Sequence, residues 1–439
     1  MSNALAVPYR LGKPAISLLV LPLKLLHLLV SLAPLMFFAA LTAMLFRPPD
    51  LKSFPIDRVA FFASLFVLAV RLCTQRGSLR TYPATWPLLA LMLIGLGGTL
   101  TQPYDSQAWS VLAAKWVVPC VFFHIAGLVF RDGPSLRKLE TFLLIVLAYL
   151  TAISVLALLG GNAFIFPRFI TDEAIGIHAD RARGPFLQAV ANGLCLNLLG
   201  LAALDSFRRK TLRGFVAAVL FLAVPLALLA TMTRAVWIAS ALSVLCLVVF
   251  GSTTNLRRIA VAGSVLVITA SGMLLLYRAE GNSFGQRAMD RSPVDFRAEM
   301  YSAGWQMFTE KPVLGWGNEW NIQPEVEKRV SSFHPEYYVF HNTFLELAVE
   351  RGLLGLGLYV WLMICLFRLG RPGAGSQGSG EPFSGPHFRK LWPVLLGVYL
   401  LNASVVVMNY QFVNAVLFTI AGILAARTAS SRQQPEIVQ

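Results

Sequence analysis

Apolar runs of roughly 17–25 residues, the length a helix needs to cross a bilayer, recur along the chain about twelve times. They fall at 29–46, 56–73, 86–100, 109–130, 139–159, 185–204, 215–232, 235–250, 259–277, 342–367, 391–408 and 412–426. The predicted fold is therefore an all-α integral membrane protein. The first of these runs belongs to a longer apolar stretch, 15–46, interrupted by Pro22, Lys24, His27 and Pro34. That stretch reads either as a surface-lying amphipathic segment followed by one span or as a kinked pair of spans. No small-residue cleavage pattern closes it, so a removable signal peptide is not expected.

Polar positions give the runs an orientation. Arg71, Arg76 and Arg80; Arg131, Arg137 and Lys138; Arg208, Arg209, Lys210 and Arg213; Arg257 and Arg258; and Arg368, Arg371, Arg389 and Lys390 occupy every second connection. The positive-inside rule makes those connections cytoplasmic and puts both termini there. The Gly/Ser-rich linker 370–386 falls on the same side and reads as a flexible connection without chemistry. On the opposite face two connections are long, 160–184 and 278–340. The second carries seven Lys/Arg and nine Asp/Glu together with Trp305, Trp316, Trp320, Tyr337 and Tyr338. It reads as an ordered helical cap lying against the membrane. The expected organisation is spans one to nine over 1–277, the cap over 278–340, three further spans over 341–427 and a cytoplasmic tail over 428–439.

Composition agrees with the pattern: 56% of the 439 residues are hydrophobic and 13% charged, with a mean hydropathy of +0.65. The formal net charge of +15 is the excess expected of cytoplasmic loops in such a chain, so it carries no nucleic-acid reading. The five cysteines lie inside apolar runs without C-x-x-C spacing, which points to neither a disulfide framework nor a zinc site.

Three polar features lie on the non-cytoplasmic side. In "LLATMTRAVWIA" a tight turn, 231–234, places Arg234 between two apolar spans, with Thr231 and Thr233 beside it. A boundary arginine either snorkels to the headgroups or serves as a fixed cation. The spacing of Phe296, Met300, Ala303, Trp305, Met307 and Phe308 predicts an amphipathic helix from Asp295 to Phe308, capped by Ser292 or Asp295 and ended by Lys311-Pro312. It carries Arg297 in its first turn, either paired with Asp295 or Glu299 or turned to a ligand. In "HNTFLELAVERGLLG" His341 precedes the tenth span, Asn342 and Thr343 are suited to cap it, and Glu346 and Glu350 lie one turn apart. The glycines that follow allow another helix to approach closely. His334 and His341 lack further ligands at suitable spacing, so no metal site is expected.

In motif order the chain resembles the O-antigen ligase family, membrane glycosyltransferases that also include O-antigen polymerases. The resemblance rests on R-x-R-G-x-F at 181–186, T-x-T-R-x-x-x-x-A around Arg234, D-x-R at 295–297, GWG at 315–317 and, most specifically, "HNTFLELAVERGLLG". It covers the C-terminal two-thirds, and the family's twelve helices agree with the span count. The resemblance implies transfer of a glycan from undecaprenyl-pyrophosphate to an acceptor, lipid A-core for a ligase, at the periplasmic face of a bacterial inner membrane. Neither a cofactor nor a metal is implied. Arg234 and Arg297 would take the diphosphate, with Arg183 as a further phosphate contact, and His341 would be the general base. Arg181, Asn342 and Trp316 would touch substrate, and Glu346 or Glu350 would contact it or orient a neighbouring arginine. A polymerase using the same donor and a lipid-glycan flippase are the alternatives, although no half-to-half repeat of the transporter kind is visible.

Overall fold

The computed structural model describes residues 32–47, 56–74, 80–176, 178–250, 292–317, 319–330, 340–371 and 380–433, and every regular element among them is helical. Helices occupy eleven of the apolar runs. They are α1 (Ala33–Leu45), α2 (Ile56–Thr74), α3 (Thr85–Leu100), α4 (Ser106–Val129), α5 (Gly133–Leu158), α6 (Ala189–Arg208), α7 (Gly214–Ala230), α8 (Arg234–Phe250), α11 (Thr343–Arg368), α12 (Pro386–Ala403) and α13 (Gln411–Gln433). Two more, α9 (Ser292–Glu310) and α10 (Glu319–Glu327), lie between α8 and α11. The expected ninth span, 259–277, lies outside the described residues, as do residues 15–31 of the ambiguous N-terminal stretch and His334. Among the described residues five stretches, α4, α5, α6, α11 taken across its break at Gly352, and α13, are long and apolar enough to cross a membrane. The chain is a helical membrane protein.

Helix ends depart from the apolar runs where polar residues take part in the helix. Asp132 caps α5, its carboxylate accepting from the Ser135 N–H at 3.2 Å. That helix therefore begins six residues before the apolar run and carries Arg137, Lys138 and Glu140 in its first turns. α6 starts late because Gly184–Phe186 is a 3₁₀ turn and Leu187 takes a left-handed conformation (φ 54°). At the other end of α6, Arg209 is not a solvated loop charge. It folds inward to pair with Asp205 at 2.8 Å and with the buried Glu140 of α5.

Large apolar side chains point outward along the helices, among them Phe62 and Phe66 of α2, Phe215 and Leu222 of α7 and Trp361 and Phe367 of α11. Helices apolar on both inner and outer faces are those that lipid, not water, surrounds. The inner faces form one continuous core, with Phe37, Phe122, Phe123, Leu136, Trp392 and Phe412 among its fully buried members. A second, small core joins Met300, Ala303 and Met307 of α9 to Ile322 and Val326 of α10, Phe340, and Val349 of α11. The expected amphipathic helix thus turns its 300/303/307 stripe inward, while Trp305, expected on the same face, is exposed.

Candidate functional site

His341 is held by its neighbours on both sides. Asn342 is the N-cap of α11: its backbone is extended, and its side-chain oxygen accepts from the Phe344 and Leu345 N–H groups at 2.9 and 3.1 Å. Thr343 faces the core. Its hydroxyl donates to the Val406 carbonyl at 2.9 Å and accepts from the Met408 N–H at 3.0 Å, tying the start of α11 to the turn after α12. His341 itself sits at φ 50°, a left-handed conformation uncommon outside glycine. The Tyr301 hydroxyl of α9 donates to its carbonyl at 3.2 Å, and the Phe296 ring meets the imidazole edge-on at 6.4 Å. Burial, then the nearby Arg297 guanidinium, push the imidazole pKa down to about 4. Among the described residues Arg297 forms no ion pair and no hydrogen bond, so of its two alternatives the pairing with Asp295 or Glu299 is not made.

α11 is not one continuous helix. At Gly352 the backbone turns to φ 60°, ψ −158°, and the segment 312–317 lies in the break. An unbroken helix would bond the Val349 and Glu350 carbonyls to the Leu353 and Leu354 amides. Here Trp316 and Gly317 donate to those carbonyls at 2.8 and 3.0 Å, while Leu353 and Leu354 donate to Pro312 and Val313 at 2.7 and 3.3 Å. Each lost helical bond is replaced on both of its halves, which is what apolar surroundings demand of a broken helix. Only glycine fits this crossing: a Cβ at Gly352 would lie 2.3 Å from the Val313 carbonyl oxygen, and one at Gly315 2.5 Å from that of Val349. Trp316 locks the segment to α9, its indole N–H donating to Met307 at 2.7 Å with the Lys311 ammonium 3.7 Å from the ring centre.

Glu346 and Glu350 face Lys115 of α4, whose ammonium lies 2.8 Å from one carboxylate and 3.9 Å from the other. Lys115 stands in a π turn, Ala113–Val117, and the local sequence explains that turn. Val118 donates to Ala113 instead of Ala114, and the next residue, Pro119, has no N–H to offer Ala114. Asn414 of α13 takes the vacated carbonyl at 2.9 Å, and is itself held by the Tyr399 hydroxyl at 3.0 Å. The cation was not among the residues picked from the sequence. The available signal was a lone lysine inside an apolar run, which membrane burial makes costly enough to be informative.

Arg234 opens α8 and is exposed. The turn before it is tightly made: Thr231 donates to Leu228 at 2.7 Å, Thr233 to Thr231 at 2.9 Å, and the Trp237 indole to Leu228 at 3.0 Å. The two hydroxyls thus serve the turn. The Ala182 N–H donates to the Ala230 carbonyl at 3.0 Å, bringing the R-x-R-G segment alongside. Within that segment Arg183 is buried and turned into its own loop, donating to the carbonyls of Ile170, at 2.8 Å, Ile175 and Asp172. In this arrangement the guanidinium expected at phosphate anchors the loop instead of facing outward. Arg181, half-buried, borders a small cavity with Ser154, Thr171 and Gly184. Gln188, at the N-cap of α6, accepts from the Tyr410 hydroxyl at 2.7 Å. Hydrogen bonds thus tie the Arg234 turn to Ala182, Gln188 to Tyr410, and the 404–410 turn to Thr343, so the three motif segments are connected through the same loops.

In comparisons with known proteins, no curated sequence matches the chain. Residues 216–360 match the family model for O-antigen ligase. The match contains Arg234, Arg297, Trp316, His341, Asn342, Glu346 and Glu350, and leaves Lys115, Arg181 and Arg183 outside. The matched segment contains His341 and supports an assignment of this domain to the O-antigen ligase family.

Proposed function

We propose that the protein is an O-antigen ligase of a bacterial inner membrane, transferring a glycan from undecaprenyl-pyrophosphate to a lipid A-core sugar at the periplasmic face. The acceptor hydroxyl attacks the anomeric carbon of the donor in a single displacement with inversion. Its proton passes to His341 as the new glycosidic bond forms, and the bond from that carbon to the diphosphate oxygen breaks. Arg297 and Arg234 hold the departing diphosphate, since guanidinium groups keep their charge and bind phosphate oxygens two at a time. These fixed cations are suited to do so without a metal. In this reading helices α9 and α10 form the periplasmic cap beside His341, and both termini lie in the cytoplasm, which the basic connections of the other side support.

The observation that carries this reading is the juxtaposition of Arg297 and His341. An imidazole with its pKa at about 4 is unprotonated at neutral pH and free to accept a proton. A bound diphosphate would offset the guanidinium charge and raise the basicity of the same imidazole as the donor arrives. The test is an in vitro reaction with purified protein in detergent and lipid-linked glycan, offering lipid A-core or a second lipid-linked glycan as acceptor. Glycan joined to lipid A-core supports the ligase. A lengthened lipid-linked glycan makes the enzyme a polymerase, and no transfer to either acceptor overturns the reading.

A further inference from the structure

We propose that Lys115 of α4 is a positioning residue for transfer at His341, clamping the severed first part of α11 against α4 through Glu346 and Glu350. The inference rests on the reading of His341 as the base. Because α11 is cut at Gly352, the membrane-crossing remainder of that helix cannot fix by continuity where its first two turns point. Side contacts must do so. Segment 312–317 holds the break, and Thr343 is tied to the 404–410 turn. The contact to α4 is ionic, with Lys115 2.8 Å from Glu346 and 3.9 Å from Glu350. The lysine stands on a braced platform, since Asn414 of α13 fills the carbonyl left open by the π turn and Tyr399 fixes Asn414. All three side chains of the clamp are at least three-quarters buried.

Removing the cation strips Glu346 and Glu350 of their counter-ion on α4 and leaves Arg351 of α11 itself as a nearby cation, so the tie between the two helices is lost. The start of α11 would then move away from α4, carrying Asn342 and His341 with it. His341 faces Arg297 and Tyr301 of α9, and its burial depends on that fit. A displaced start exposes the imidazole, so its titration moves up toward the ordinary histidine value.

The experiment uses the full chain in detergent, labelled with ¹⁵N-histidine, with the His341 resonance assigned by its loss in His341→Ala. Lys115→Met is compared with wild type by His341 titration and by glycan transfer. Should that variant fail to fold, Lys115→Met/Glu346→Gln/Glu350→Gln removes all three charges of the clamp and serves in its place. The expected result is a His341 titration moved to higher pH, with kcat lowered about 10- to 100-fold and donor KM nearly unchanged. Lys115→Arg should restore most of kcat. A folded variant lacking the cation, yet with wild-type titration and kcat, overturns the proposal. Normal transfer by His341→Ala would overturn the base instead, and the titration would still decide whether Lys115 sets the position of His341.

Discussion

His341 at the mouth of α11 faces Arg297 of α9, and burial, then this guanidinium, hold the imidazole pKa at about 4. Removing a neighbouring positive charge makes protonation easier, so the pKa must rise. The wild-type kcat/KM for donor should therefore stay level through the weakly acidic range and fall only as pH nears about 4. In Arg297→Gln the fall should begin at higher pH, alongside the loss of rate from the missing cation. A pH–rate profile checks both, and an acid limb unmoved by Arg297→Gln would contradict the pairing.

Arg234 is exposed at the start of α8, so its role can be tested with little risk to the fold. Arg234→Lys keeps the charge and loses the two-pronged geometry that suits a diphosphate. Transfer should fall by about 10²-fold, within the range for removing one transition-state donor, while the thermal melting point in detergent stays near wild type. Full activity in Arg234→Lys would leave this arginine a headgroup-facing residue.

Arg183, expected from its motif to touch phosphate, is spent on three carbonyls of the 160–184 loop. Hydrogen bonds from a charged donor contribute about 1.5–3 kcal/mol each, and the carbonyls left behind would lack partners. Arg183→Ala should open the loop to limited proteolysis between residues 160 and 184 under conditions that spare wild type and Arg234→Lys. An intact loop in Arg183→Ala would return this residue to the phosphate role.

The break in α11 predicts a sharp difference between two nearby glycines. Gly352→Ala forces a side chain into a backbone region reserved for glycine, costing about 1–3 kcal/mol before the clash with Val313 is counted. Gly357→Ala adds a methyl group with no atom within 4 Å. Thermal unfolding in detergent should show a lower melting point for the first and none of that loss for the second.

How far the sequence carried the fold depended on the range of the interaction. Every apolar run within the described residues became a helix, because bilayer-length burial is written locally in composition. His341, Asn342 and Arg234 were legible as polar residues at the mouths of apolar segments, and Arg297 as a basic residue in the first turn of an amphipathic helix. The break at Gly352 was not. "RGLLGLG" allows a close approach, but the partner is a loop some forty residues earlier, and only the paired hydrogen bonds reveal it. Lys115 was passed over because one lysine barely dents the hydropathy of its run, and its partners lie on a distant helix. The inward turn of Arg183 is decided by the path of loop carbonyls, which residue type alone does not encode.

The central claim is that His341 accepts the proton of the acceptor hydroxyl. The direct measurement is single-turnover glycan transfer by purified His341→Ala, with donor binding and melting temperature recorded on the same preparation. The expected result is a folded protein that binds lipid-linked donor and transfers its glycan about 10²- to 10⁴-fold more slowly than wild type. A folded, donor-binding His341→Ala protein with a near-normal transfer rate would contradict it.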